Sequence, residues 1–383
     1  MSFITALFWL SGFFIFYSYF GYPLLLWLIA SFSKRPEAGA RKAFEPKVTL
    51  FISVYNEEKS IEEKIMNTLD LNYPKKSLEV VVISDGSTDR TDAIVSKYAD
   101  QGVRLRRYEG RIGKTACLNQ AVPLAEGEII VFSDANSKYD REAIRELVHH
   151  FQDQQIGFVT GMTKYISSQD DSSDSIGLYW KIEKVTKELE SKIGSCIGAD
   201  GAIFAIRKGL YQPLKAYDIN DFVIPLRVIE QGYRGRLESG AFCVEETAGG
   251  SKEEFGRQVR ITNRTIRAIV NHRHLLNPFG YGLLSFKLLS HKVCRLFVPF
   301  LMFVFLIANL LLVSQGAFYR VVFYGQLLFY VLAALSSLNL RISFLSRISS
   351  VSHTFTMANL AIVSGWVKYL KGETAVVWVP SRK

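Results

Sequence analysis

The chain has 383 residues, 46 of them Lys or Arg against 36 Asp or Glu, and 49% are hydrophobic; that length allows one large or two modest domains. Residues 3–30 and 296–317 hold no charged side chain. Each run exceeds the roughly 20 residues that span hydrocarbon, which argues against a wholly soluble protein. The net charge of +10 gathers beside those runs, so membrane lipids with anionic headgroups are the expected partners and nucleic acid is not.

The first run is too long for a signal peptide, lacks a basic start and shows no small-residue cleavage site. A retained transmembrane helix is therefore expected over residues 1–32. Lys34, Arg35, Arg41 and Lys42 follow it. Arg257, Arg260, Arg264, Arg267, Arg273, Lys287, Lys292 and Arg295 precede the second run. By the positive-inside rule, the intervening chain faces the cytoplasm. The four cysteines, Cys117, Cys196, Cys243 and Cys294, form no CxxC, and reduced structural thiols are expected.

From Val48 the pattern alternates between strand and helix. Strands are predicted over Val48–Ser53, Leu78–Ser84, Val103–Tyr108 and Glu128–Ser133, with helices over Glu57–Leu69, Thr91–Asp100 and Lys114–Ala125. Apolar strands alternating with helices imply an α/β domain with a mainly parallel, doubly covered sheet. Further on, Ile156–Ile166 reads as a strand, Ser172–Ile193 as a helix and Ile197–Arg207 as a strand broken by glycines. Asn220–Gln231 and Lys252–His274 read as helices, the second basic. Leu276–Lys292 reads as an interfacial segment along the membrane. Spans are expected over Val293–Val313 and Val321–Leu340. The last apolar segment, Val351–Tyr369, carries His353, Asn359 and Lys368 and is flanked by Arg341, Arg347, Lys371, Arg382 and Lys383. Positive charge on both sides favours a re-entrant or interfacial helix over a full span.

In doubly wound sheets, ligands bind beyond the carboxyl ends of the strands. Four polar motifs fall there: Ser53–Glu57 (SVYNE), Ser84–Asp89 (SDGSTD), Gly110–Lys114 (GRIGK) and Asp134–Asn136 (DAN). Asp85 follows a strand and could accept hydrogen bonds from a base or ribose; Thr88 or Asp89 fits the helix cap better. Arg111 and Lys114 sit in a glycine-flanked turn that opens a helix, a suitable place for a diphosphate, without P-loop spacing. Asp134 and Asn136 suit a hard cation that shares phosphate oxygens, Mg2+ or Mn2+. Asp221 opens a helix, where it serves either as a cap or as a base within reach of a hydroxyl. Arg257 and Arg260 lie three apart on one helix face, facing either lipid or a leaving diphosphate.

Taken in order, these residues resemble the membrane-embedded family 2 glycosyltransferases with a GT-A fold, the group that includes chitin, cellulose, hyaluronan and poly-N-acetylglucosamine synthases. The resemblance runs from about Val48 to Arg267 and the flanking spans. It implies that Val54, Asn56, Glu57, Asp85, Lys114, Asp134, Arg257 and Arg260 bind the nucleotide-sugar, and that Asp134 and Asn136 hold the metal. It further implies that Gly198, Asp200 and Gly201 border the acceptor and that Asp221 is the catalytic base. Three positions depart from the family pattern: Asn136 replaces the second acid of the DXD motif, Asn220 the first acid of the ED pair, and Ile261 the tryptophan of (Q/R)XXRW.

The activity implied is inverting, metal-dependent transfer of a hexosyl or N-acetylhexosaminyl group from a UDP-sugar to a growing glycan. It would take place at the cytoplasmic face of a multi-pass protein in the inner membrane. Two alternatives follow from the departures: single addition to a polyprenyl-linked or other lipid acceptor, and an inactive nucleotide-binding partner subunit. A second copy of the chain or an export protein is a further expected partner. The expected organisation is a membrane helix over 1–32, a cytoplasmic GT-A domain over 45–255, basic and interfacial helices over 256–292, and a membrane region over 293–383.

Overall fold

The structure is a computed structural model that describes residues 2–33, 44–166, 173–246, 251–337 and 346–374. The flanking charges at 34, 35, 41, 42, 341, 382 and 383 lie outside the described residues. The chain divides into two compact units: residues 1–32, 169–186 and 250–373, and residues 33–168, 187–249 and 374–383.

In the first unit, α1 (Phe3–Phe16) passes through a π-helical turn (Tyr17–Gly21) into α2 (Tyr22–Phe32). The second unit begins with β1 (Val48–Val54), α3 (Ile61–Leu69), β2 (Leu78–Asp85), α4 (Thr91–Ser96), β3 (Val103–Tyr108), α5 (Lys114–Ala121) and β4 (Ile129–Asp134). It continues with β5 (Lys138–Tyr139), α6 (Ala143–Val148) and β6 (Ile156–Ile166). After α7 (Ser173–Lys192) come β7 (Ile203–Arg207), α8 (Asn220–Glu230) and β8 (Arg234–Glu246).

Among the described residues these strands form one sheet in the order β3-β2-β1-β4-β7-β6-β8-β5. β1 pairs in parallel with β2 and β4, and β2 with β3. The strands β1, β2 and β4 are buried along nearly their whole length, because apolar residues on both faces suit a sheet covered by helices on each side. β3, with Arg104, Arg106 and Arg107, closes the edge, where charges discourage further pairing.

Beyond β4 the sheet is mixed, while parallel pairings remain the majority, as expected. β7 runs antiparallel to both β4 and β6, and β5 antiparallel to β8. β7 is also shorter than predicted, because 197–202 forms a glycine-bearing loop. β8 pairs in parallel with β6, with the register broken between Thr160 and Met162, opposite Leu237 and Phe242. A bulge of this kind re-aims side chains.

The first unit resumes with α9 (Ser251–Asn271), α10 (Pro278–Tyr281) and α11 (Leu283–Lys287), then α12 (Cys294–Leu312), α13 (Ala317–Ser337) and α14 (Ser346–Leu370). The segment read as interfacial divides at Gly282. From Leu283 the helix runs through a π-turn into α12 as one apolar stretch. Among the described residues three helical stretches are long and apolar enough to cross a membrane: Phe3–Phe32, Leu283–Gln315 and Ala317–Ser336. α14 is not among them.

α1 packs on α12 through stacked Phe8 and Phe305 rings 4.7 Å apart, and α14 packs on α9. Glu183 of α7 accepts hydrogen bonds from Arg295 at 2.6 Å, His291 at 3.0 Å and Lys292 at 3.5 Å. Burial alone would push its carboxyl up, but Lys292, His291 and Arg295 together hold it well below the usual range.

Candidate active site

β1, β2 and β4 end level with one another, Val54 opposite Ser84 and Ser53 opposite Asp134. The loops beyond them carry most of the predicted site. Asn56 adopts φ +53°, a conformation that asparagine tolerates better than most residues. Its backbone N–H donates to Ser87 Oγ at 3.2 Å, and its side-chain oxygen accepts from the Thr88 N–H at 2.8 Å. The Glu57 N–H donates to Thr91 Oγ1 at 2.8 Å. Asp89 caps α4 by accepting from the Thr91 N–H at 2.9 Å. The loops after β1 and β2 are thus tied into one wall.

Asp85 is more engaged than the sequence suggested. Both its oxygens accept from the Gly113 N–H at 3.1 Å, and the Cys117 thiol lies 3.5 Å from Oδ1. Burial, and then the Asp85 charge, hold that thiol well above its usual range. Asp85 therefore fixes the turn from which α5 and Lys114 start. In the same turn, the Arg111 guanidinium lies over the Tyr55 ring, 3.5 Å from its centre.

Lys114 reaches the tip of β4, where Nζ donates to Asp134 Oδ1 at 2.6 Å. Asn136 follows, half-buried, in the turn before β5. Beneath that turn lies a residue absent from the predicted site. Lys64 of α3 is 1% exposed; its ammonium donates to the Ser137 carbonyl and sits 3.8 Å from the centre of the Tyr139 ring. Burial lowers its pKa to about 7, against the opposing pull of Cys243, Asp134 and Glu245. The Tyr139 hydroxyl lies within hydrogen-bonding reach of the Phe132 carbonyl at 3.1 Å and the Ala202 carbonyl at 3.0 Å. A lysine on the helix face that also carries Ile61, Ile65 and Thr68 was the available sequence signal.

The loop carrying Gly198, Asp200 and Gly201 folds against Asp221. The Ala199 N–H donates to the Asp221 carbonyl at 2.7 Å, and a Cβ on Gly201 would lie 2.8 Å from Asp221 Oδ2. Glycine leaves the carboxylate's position clear, and a larger residue would push it aside. Asp200 accepts from Thr163 N–H and Oγ1 at 2.8 and 2.9 Å and from the Ala202 N–H at 3.2 Å, so its carboxylate pins the loop to β6.

Asp221 Oδ1 and the adjacent Asn220 Nδ2 are closed off from solvent without a hydrogen-bond partner. Burial pushes the Asp221 carboxyl up to about 6; Lys114 and Lys187 pull it down, and Asp200 and Asp134 push it up. Asp134, Lys114, Asp200 and Asp221 therefore share one electrostatic field. Lys187, which the sequence did not single out, joins it. Arg257 and Arg260 lie on α9 of the other unit, where Arg257 donates to Glu254 at 2.8 and 2.9 Å.

Residues 49–213 match the family model for glycosyl transferase family 2. That match marks a family 2 glycosyltransferase domain over less than half of the chain; the sheet is GT-A-like and mixed, and candidate membrane helices precede and follow it in the sequence. Among curated proteins it is 26% identical over 235 residues to the poly-beta-1,6-N-acetyl-D-glucosamine synthase of Staphylococcus aureus (strain COL), covering 57% of this chain and 55% of that one. It is also 26% identical over 216 residues to a Bacillus subtilis (strain 168) protein named "Probable glycosyltransferase YdaM", covering 52% and 51%. The chain thus matches about half the length of these relatives. Among solved structures it resembles the mannosyltransferase PcManGT of Pyrobaculum calidifontis, in complex with GDP-Man and Mn2+. The TM-score is 0.70 at 22% identity, covering 95% of this chain and 99% of that one. At that identity the likeness shows the fold.

Proposed function

We propose that the chain transfers a sugar from a UDP-sugar to an acceptor hydroxyl with inversion at the anomeric carbon. The observation that carries this is Asp221: a carboxylate raised to about 6, its Oδ2 kept clear by Gly201, in the field of Lys114 and Asp134. A base with a pKa near working pH is suited to taking a hydroxyl proton. The acceptor oxygen forms its bond to the anomeric carbon as the carbon–phosphate oxygen bond breaks. The proton goes to Asp221, and the electron pair leaves with the diphosphate. Lys114 stabilises that leaving charge, and Arg257 and Arg260 are assigned the same task.

Val54, Asn56, Glu57 and Asp85 form the nucleoside side, and Gly198, Asp200 and Gly201 the acceptor side. Asp200 acts there through the loop it pins. A divalent metal fits: Asp134 already accepts a cation in the Lys114 ammonium, and one carboxylate with one amide oxygen is a donor set that Mg2+ or Mn2+ takes together with phosphate oxygens. Asp134 and Asn136 would hold it. When bound it supplies charge neutralisation to the diphosphate.

The staphylococcal relative's name supports a glycan acceptor and polysaccharide synthesis; the candidate spans and flanking basic residues support an inner-membrane protein with a cytoplasmic catalytic domain. Ile261 favours a second reading, a single addition to a polyprenyl-linked or other lipid acceptor. For the donor, a solved structure that aligns over nearly the whole chain holds GDP-Man, which makes GDP-mannose the competing candidate. The test is nucleotide release by purified protein in lipid nanodiscs, supplied with a panel of UDP-sugars and GDP-mannose, followed by sizing of the product. UDP release with a polymeric product supports the proposal. GDP release from GDP-mannose alone would replace the donor, a single-sugar lipid product would replace the acceptor, and no release from any donor would indicate an inactive partner subunit.

A further inference from the structure

Outside the active site, one cluster of side chains has the composition of a metal centre. His149 and His150 are consecutive in the 3-10 turn that continues α6, their ring centres 3.9 Å apart and their planes 35° from parallel. Opposite them, Glu238 lies where the β6–β8 register breaks. His150 Nε2 is 2.7 Å from Glu238 Oε2, and the side chains of this pair are 24% and 18% exposed. The ligand atoms of His149, His150 and Glu238 all lie within 4.8 Å of one another.

We propose that His149, His150 and Glu238 form a second divalent-cation site, one selective for a late transition metal such as Zn2+, Co2+ or Ni2+. A metal about 2.0–2.2 Å from each donor sets tetrahedral donors about 3.3–3.6 Å apart. The cluster reaches this by side-chain adjustments of about an ångström. The His150–Glu238 pair opens slightly as the proton between them leaves. Two imidazoles and a carboxylate favour a borderline metal over Mg2+, whereas the all-oxygen pair Asp134 and Asn136 has the opposite preference.

The backbone prepares the site. The Gly240 N–H donates to Glu238 Oε1 at 2.7 Å and orients the carboxylate. A Cβ on Gly240 would lie 3.0 Å from Glu238 Oε1 and 3.1 Å from Glu146 Oε2, so glycine keeps both carboxylates side by side. Glu146 precedes His149 and His150 by three and four residues, on the same helical face, and adds negative charge beside the three donors. A bound ion would join the end of α6 to the β8 bulge.

The test uses tag-free full-length protein in detergent, titrated with Zn2+ and with Co2+. Wild type is expected to bind one more equivalent of Zn2+ than a His149→Ala/His150→Ala variant. Its Co2+ adduct should show the intense visible bands of low-coordinate cobalt, and the variant's should not. Glu238→Gln, which keeps the side-chain shape, should weaken Zn2+ binding about tenfold or more. Equal stoichiometry and equal cobalt spectra in wild type and variant would overturn the proposal. Should the double variant not fold, X-ray absorption at the zinc edge of wild type decides alone. Two imidazoles with carboxylate oxygen support the site; an all-oxygen, thiolate or single-imidazole shell rejects it.

Discussion

The ammonium of Lys114 lies 2.6 Å from Asp134 Oδ1, so the carboxylate assigned to the metal already holds a cation. The two charges compete for one oxygen. Lys114→Met should therefore tighten Mn2+ binding in the absence of nucleotide while slowing transfer about 10²- to 10³-fold, the usual cost of losing one group that stabilises developing charge. Calorimetry with Mn2+ alone, set beside turnover, separates the two effects. Weaker Mn2+ binding in the variant would contradict the competition.

Asp221→Asn removes the proton acceptor and little else, because the amide fits the space beside Gly201. Transfer should fall about 10²- to 10⁴-fold, with UDP affinity nearly unchanged. Equilibrium UDP binding and single-turnover transfer measure the two halves. Lost UDP affinity with transfer retained would reassign the residue.

The raised pKa gives a direction to the pH profile. As the proposed base, Asp221 would act when ionised, so kcat/KM should rise with pH through about 6 and level off above it. For stability the sign is opposite. A carboxyl whose folded pKa exceeds its unfolded value favours the fold while protonated, and that contribution is lost as pH rises from the ordinary aspartate range through about 6. Asp221→Asn should accordingly raise Tm by a few degrees at pH 7 and leave it nearly unchanged at pH 4. Asn220→Asp, which places a second carboxyl next to the first, should move the acid limb of kcat/KM upward. A limb that stays in place would mean that the two side chains do not share a field.

Lys64 should act on the metal loop through the Ser137 carbonyl. Lys64→Met fills similar volume but leaves that buried carbonyl unpaired, at a cost of about 1–3 kcal/mol, partly offset because a buried charge is also removed. The half-saturating Mn2+ concentration for turnover should rise severalfold, and far-UV circular dichroism should be unchanged. Unaltered Mn2+ dependence would limit Lys64 to packing.

The parallel half of the sheet was legible because β1, β2 and β4 are apolar on both faces and end in polar loops. β8 was not: Arg234, Arg236, Glu238 and two glycines interrupt it, and its place depends on β6, a partner far away in sequence. The same division holds for the site. Asp134, Lys114, Asp200, Gly201 and Asp221 sit in motifs at strand ends and helix starts, and the structure brings them together. Asp85 was legible in position but not in its engagement with Gly113, since a hydrogen bond across 28 residues leaves no local pattern. Lys64 and Lys187 are lysines inside helices and outside any motif, and only packing reveals what they face.

The hydroxyl of Tyr139 stands between the Phe132 carbonyl, near the end of the strand that carries Asp134, and the Ala202 carbonyl, beside Gly201. One phenol thus braces the sides proposed for donor and acceptor alike, so neither can slacken alone. Changes in how the chain holds its nucleotide and in how it holds its acceptor should be inherited together. A lineage retuning one specificity would have to move, or first release, the other.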